Sequence, residues 1–97
     1  MRVQIRNTAG LNNNAKLHDT MAEARMDDVI MWQETKLQAD KISLLRSKWG
    51  QDVFMACFEG ASRRGVVTLF ADKLEAEHLD VKRDAQGQFL LSIFQLV

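Results

Sequence analysis

The sequence predicts an α/β domain in which two helices cover a mixed sheet, with elements in the order β-α-β-α-β-β-β-β. Three observations carry this reading. Val29-Ile30-Met31-Trp32 is an unbroken apolar run of strand length, the pattern of a strand buried on both faces. Leu17 to Ala24 and Ile42 to Trp49 instead repeat apolar residues at helical spacing. Beyond Trp49, the apolar segments Val53 to Phe58, Val66 to Phe70 and Phe89 to Val97 are separated by polar, glycine-containing stretches.

In chain order, Val3 and Ile5 alternate with Arg2, Gln4 and Arg6, which predicts a strand with one buried face ending at Asn7. Asn7-Thr8-Ala9-Gly10 carries turn chemistry, continued by Asn12 to Asn14. Asn14 is the expected N-cap of a helix from Ala15 to Arg25, with Leu17, Met21 and Ala24 as its apolar stripe. Asp27-Asp28 breaks that pattern before the central apolar strand. A second helix is expected from Ala39 to Lys48, with Ile42, Leu45 and Trp49 on one side, Leu44 widening the stripe and Gly50 as its stop. Val53 to Phe58 and Val66 to Phe70 read as strands joined by the loop Glu59 to Gly65. Glu75 to Lys82 alternates weakly, as a half-exposed strand does, with Glu75, Glu77 and Asp80 as its solvated face. Asp84-Ala85-Gln86-Gly87 is a hairpin turn signal. Phe89 to Val97 is apolar on both faces: Phe89, Leu91 and Ile93 on one, Leu90, Phe94 and Leu96 on the other. Two helices cover only one sheet face well. The other face is expected to be open, and to need a partner or a further part of the same domain.

The 97 residues are enough for one small domain. A domain of this size buries roughly 60 to 70% of the surface its unfolded chain exposes. The composition, 46% hydrophobic and 27% charged, is ordinary for a soluble globular protein. No apolar run approaches the ~20 residues of a membrane helix, and MRVQIRNTAG has no apolar signal core. An intracellular location, cytoplasmic or nuclear, is the expectation, with no membrane partner. Thirteen basic residues balance thirteen acidic ones, so net charge gives no nucleic-acid footprint. Cys57 is the single cysteine, which excludes an internal disulfide; in VFMACF it reads as a small buried hydrophobe. Trp32 and Trp49 read as core.

Two polar strand ends then stand out, Asn7 and Glu34. When a helix joins two parallel strands, both strand ends lie on one sheet edge, the edge at which ligands of open α/β sheets bind. An amide oxygen and a carboxylate converging there suit Mg²⁺, which takes few carboxylates, keeps several waters and bridges to phosphate. The plain alternative is that Asn7 closes a turn and Glu34 is solvated.

RNTAGLN at Arg6 to Asn12, followed by WQETK at Trp32 to Lys36, resembles the endonuclease/exonuclease/phosphatase superfamily. Its members open with a strand ending in Asn-x-x-Gly-Leu and follow it with one ending in Gln-Glu-Thr. Within it, the motifs resemble the endonuclease domains of non-LTR retrotransposons and, behind them, the exonuclease III-type apurinic endonucleases. Gly65 to Lys73, GVVTLFADK, looks like the family's Gly-Val-x-x-Leu strand, and Arg83 to Leu91, RDAQGQFLL, like its Asp-x-x-Gly hairpin. The resemblance spans essentially the whole chain, in order and at the expected spacing.

The resemblance implies a four-layer α/β sandwich with two facing sheets, of which residues 1–97 are the N-terminal part, truncated at Val97. It implies a Mg²⁺-dependent endonuclease that cleaves phosphodiesters in DNA. Glu34 would be the principal Mg²⁺ ligand (Mn²⁺ in its place), with Asn7 on metal and phosphate. Gln33 and Thr35 would support the site. Lys36 stands where DNA-cleaving members carry lysine, and Asn12 would line the DNA-side loop. Apart from the resemblance, Arg63 and Arg64 before Gly65 read equally as contacts to a DNA backbone or as part of a solvated loop. Two departures count. Ala9 stands where apurinic endonucleases carry Asp or Asn, which weakens an abasic-site role. The family's Gly-Asp-x-Asn and Ser-Asp-His segments are not among these residues, and neither His18, expected on the surface, nor His78 replaces them. The 97 residues alone are therefore expected to be inactive without the C-terminal half or a partner chain. The alternatives are a noncatalytic or degenerate α/β module that needs a partner, and a phosphatase or lipid phosphodiesterase of the same superfamily.

Overall fold

The computed structural model of the chain describes residues 1–57, 64–74, 76–83 and 90–96. Along them run β1 (Val3–Asn7), α1 (Asn14–Ala24), β2 (Val29–Gln33), a 3-10 turn (Ala39–Lys41) and α2 (Ile42–Trp49). Then follow β3 (Val53–Ala56), β4 (Val66–Phe70), a second 3-10 turn (Asp72–Leu74), β5 (Ala76–Arg83) and β6 (Leu90–Leu96). The chain is a small mixed α/β domain. Four strands form one sheet in the spatial order β1-β2-β4-β3, and β5 pairs with β6 as a separate antiparallel ribbon. β1 and β2 are parallel, while β4 is antiparallel to both β2 and β3. β1, β2 and β3 thus share one direction, as helical crossovers require, and β4 lies between β2 and β3 in the opposite sense.

Strand alternation divides the sheet into two faces. Ile30, Trp32, Val53, Met55, Val67 and Leu69 share one face and pack with Leu17, Met21 and Ala24 of α1 and Leu45 and Trp49 of α2. Trp49 also donates its indole N–H to the Phe70 carbonyl at 2.9 Å, tying α2 to β4. Both tryptophans are buried, as their sequence context predicted. The opposite face carries Phe54 and Phe70, and the ribbon lies against it. Phe94 of β6 meets Phe70 edge-on at 4.9 Å between ring centroids, and the His78 ring of β5 lies 4.7 Å from Phe54 and 4.6 Å from Phe70. The ribbon leaves the β1–β2 end of this face open: Val3 is 49% exposed, Ile5 66% and Met31 38%.

β1 corrects the expectation drawn from its alternation. Its apolar residues point to the open face, while Gln4 and Arg6 turn toward α1 and are half-buried. Gln4 donates to Asp27 at 3.0 Å and Arg6 pairs with Glu23, while the Gln4 side-chain oxygen is buried with no hydrogen-bond partner among the described residues. β2 is likewise buried at Val29, Ile30 and Trp32 but exposed at Met31. The cap of α1 is Asn13 and not Asn14: its side chain accepts the Lys16 N–H, and the helix ends at Ala24. Arg25 then donates to the Lys48 and Trp49 carbonyls and stacks 4.3 Å from the Trp49 ring, closing the end of α2.

At the sheet edge where β2 begins, Asp28 accepts the Arg2 backbone N–H at 2.8 Å and pairs with Lys73 at 3.3 Å. Those contacts, the backbone bond first, hold its carboxyl below the ordinary carboxylate value. Cys57 is partly buried against the core. In β6, Leu91 is 42% exposed and Leu90 and Phe94 are half-buried, so the strand is less enclosed than its composition implied. Phe58, Glu75, Phe89, most of the loop before Gly65 and the turn Asp84-Ala85-Gln86-Gly87 lie outside the described residues. No helix among the described residues is long and apolar enough to cross a membrane.

Candidate functional site

Register brings the two polar strand ends to one edge. Asn7 closes β1 opposite Gln33 of the parallel β2, and Glu34 is the next residue. Both are exposed. Asn7 accepts the Ala9 N–H on its side-chain oxygen at 3.0 Å, an Asx turn that reverses the chain directly after the strand. The plain reading of Asn7 as a turn residue thus holds, and one lone pair of its oxygen is already used.

Three loops interlock here. The Thr8 N–H donates to the Gln33 carbonyl at 2.9 Å, Gly10 to Glu34 at 2.7 Å and Leu11 to Thr35 at 2.8 Å. From the other side, Thr35 donates to Gly65 at 3.0 Å and Lys36 to Arg64 at 2.6 Å. The segments after β1, after β2 and before β4 are therefore one hydrogen-bonded unit.

This unit holds every left-handed non-glycine residue among those described: Ala9 at φ 52°, Glu34 at 51°, Lys36 at 57° and Arg64 at 63°. Gly10 and Gly65, at 94° and 100°, lie beside them. Such residues cost on the order of 1–3 kcal/mol each, and persist only where their surroundings hold them. The compensation is visible. Leu11 and Leu37, which follow the two strand-end loops, are 1% and 2% exposed and belong to the core. Each such anchor contributes about 1.5–3 kcal/mol, comparable to the strain it offsets. Ala9 bears on the departure noted above, since Asn and Asp tolerate the left-handed region better than Ala does.

Lys36 is half-buried, with its side chain lying across Gly10, where a Cβ would stand 3.2 Å from its Cδ. Asn12 donates its side-chain amide to the Lys36 carbonyl at 3.0 Å, so its role in the fold is to brace Lys36. Arg64 is half-buried and joins the unit through its carbonyl. Arg63 lies outside the described residues. Lys16 of α1 reaches the Ala9 carbonyl at 3.5 Å. Thr8 and Thr35, 4% and 1% exposed, form the floor. Gly65 sits so close to Thr35 that a Cβ would lie 2.7 Å from its Oγ1. Thr8, Lys16 and Gly65 were not legible as site residues, because their roles are contacts between loops distant in sequence.

The Glu34 carboxylate has no hydrogen bond or ion pair to the described residues. Among them, no group of three or more His, Cys, Asp or Glu side chains could by itself hold a metal. By donor type, one carboxylate and one amide oxygen are the kind of small set that Mg²⁺ takes when water and phosphate supply its remaining ligands. His18 is exposed, as expected. β5 is half-exposed as expected: Glu77 and Asp80 are exposed, while the His78 side chain is 16% exposed and lies 3.4 Å from Asp52. Its neighbour Phe70 pairs with Val29, at the end of β2 away from Glu34. Comparison with known proteins adds no relative: no family model matches the chain, and no curated protein matches it.

Proposed function

We propose that the chain is the N-terminal part of a Mg²⁺-dependent endonuclease domain of retrotransposon type, cleaving phosphodiesters in DNA. The observation that carries the reading is the strand-end unit, where the exposed Glu34, with no side-chain partner among the described residues, and the Asn7 amide share one sheet edge on a strained, interlocked scaffold. Strain concentrated in one place and supported by buried anchors is typical of sites that position chemistry.

In this reading Glu34 is the carboxylate ligand and Asn7 contributes its remaining oxygen lone pair and its amide N–H. The metal, when bound, polarises the scissile phosphate and stabilises the leaving oxygen. Lys36, whose side chain lies across Gly10, would offer the phosphate a cation. Arg63 and Arg64 would contact the DNA backbone. The layering supports the same reading. Helices on one sheet face and an antiparallel ribbon on the other are what half of a four-layer sandwich needs, and the open patch at Val3, Ile5 and Met31 is where further sheet would pack. The rest of the catalytic set would come from that further half.

The test uses the domain completed by the downstream reading frame. It should nick supercoiled plasmid with Mg²⁺, and Glu34→Gln should lower the rate by about 100-fold or more, the scale of losing a charge-stabilising group. Equal nicking by both proteins would remove Glu34 from the site and leave the noncatalytic module as the better account.

A further inference from the structure

We infer that Thr8 is a positioning residue for Glu34: its buried hydroxyl, shared between the Gln33 and Glu34 carbonyls, turns residue 34 out of the strand and sets its carboxylate on the sheet rim. The purpose of that carboxylate rests on the metal-site reading; the conformational part does not.

Ile30 and Trp32 point into the helix-covered core. Were β2 to continue extended, residue 34 would follow them, because every second residue shares a face. A carboxylate there would be buried without a partner, which is costly. Glu34 is instead exposed, with φ 51°.

Thr8 Oγ1 lies 3.0 Å from the Gln33 carbonyl oxygen and 3.2 Å from that of Glu34. Successive carbonyls of an extended chain point to opposite sides. One hydroxyl within reach of both is therefore incompatible with an extended residue between them. Thr8 is 4% exposed, so its hydroxyl has no ready access to water and its donor is spent on these carbonyls. The Gly10 N–H on the Glu34 carbonyl and the Gly65 carbonyl on the Thr35 N–H complete the restraint on either side. Valine at position 8 would keep the volume and the backbone N–H bond and lose only the hydroxyl. Serine would keep the hydroxyl.

The test uses the isotope-labelled 97-residue chain. In the wild type, the Glu34 Cα and Cβ shifts and its HN–Hα coupling should report positive φ. Thr8→Val should move them toward extended values and Thr8→Ser should restore them. In a Mn²⁺ titration, paramagnetic broadening at Asn7 and Glu34 should need about 10-fold more Mn²⁺ in the valine variant, the usual scale for losing a group that orients a ligand, and no more than wild type in the serine variant. Glu34 remaining left-handed in Thr8→Val overturns the inference. A changed Glu34 conformation with unchanged broadening supports the conformational role and defeats the metal-site reading. Absence of broadening at Glu34 in the wild type would defeat the metal-site reading, and the shifts alone would then decide the role of Thr8. Should Thr8→Val not fold, the wild-type hydroxyl proton decides: a slowly exchanging signal supports the bond, and its absence overturns it.

Discussion

Gly65 stands at φ 100° with Thr35 Oγ1 2.7 Å from where a Cβ would be. Alanine at this position meets two penalties at once, a left-handed backbone and a contact that real side chains do not make. Gly65→Ala should destabilise the chain by about 1–3 kcal/mol, read as a lower urea midpoint at unchanged slope. The amide signals of Thr35 and Lys36 should shift most, since their N–H groups donate to the Gly65 and Arg64 carbonyls. An unchanged midpoint would mean that the three loops are not a single unit. Glycine at Gly10 and Gly65 marks turns in the sequence, and the strand-end placement of Asn7 and Glu34 followed from order and spacing. The left-handed backbone of Ala9, Glu34, Lys36 and Arg64 did not, because residue type disfavours it there and only bonds from distant loops impose it.

At the scale of elements, local signals transferred unevenly. Val66–Phe70 has the bounds its β-branched run predicts. The α1 stripe buries Leu17, Met21 and Ala24 as its spacing requires. The cap, however, was chosen among three consecutive asparagines, which propensity cannot separate. Asn13 is the one whose side chain accepts the Lys16 N–H, at 3.1 Å. Asn13→Ala should therefore cost about 1 kcal/mol, seen as a lower melting temperature with faster exchange of the Lys16 amide. Asn14→Ala, on an exposed first helical residue, should stay within about 0.5 kcal/mol of the parent. Equal losses would show that the cap is not localised. β1 is the instructive failure. Its period of two is real, yet the apolar set faces the open side and the polar set faces α1, where Asp27 accepts from Gln4 and Glu23 pairs with Arg6. Alternation reports that two faces differ and is silent on which of them a helix will cover.

At the scale of the whole molecule, the sheet is finished on one side and partly covered on the other. The helix-covered face holds the continuous core, and among the described residues Phe54, Phe70, His78 and Phe94 close the second face toward β3 and β4. Val3, Ile5 and Met31 remain exposed together, since Ile5 stands opposite Met31 in the parallel pair. The chain should accordingly enhance the fluorescence of a hydrophobic dye in its native state. Replacing both Ile5 and Met31 by Gln should reduce that signal several-fold while changing stability by no more than about 0.5 kcal/mol for each surface substitution. Dye signal that persists in the double variant would place the binding elsewhere. The need for cover over one sheet face was legible from two helices and too many apolar strands; its position at β1 and β2 was not.

Secondary-structure identity, the two helical stripes and the order in which polar strand ends appear all depend on residues close along the chain, so they could be read from the sequence. Three matters depend on residues brought together from afar: which face of β1 is covered, how His78 is enclosed by phenylalanines, and how Thr8, Gly10 and Gly65 turn Glu34 outward. Local preference sets the period of a segment. Burial, cross-strand register and hydrogen bonds between distant loops set its direction, and these exist only once the sheet has formed.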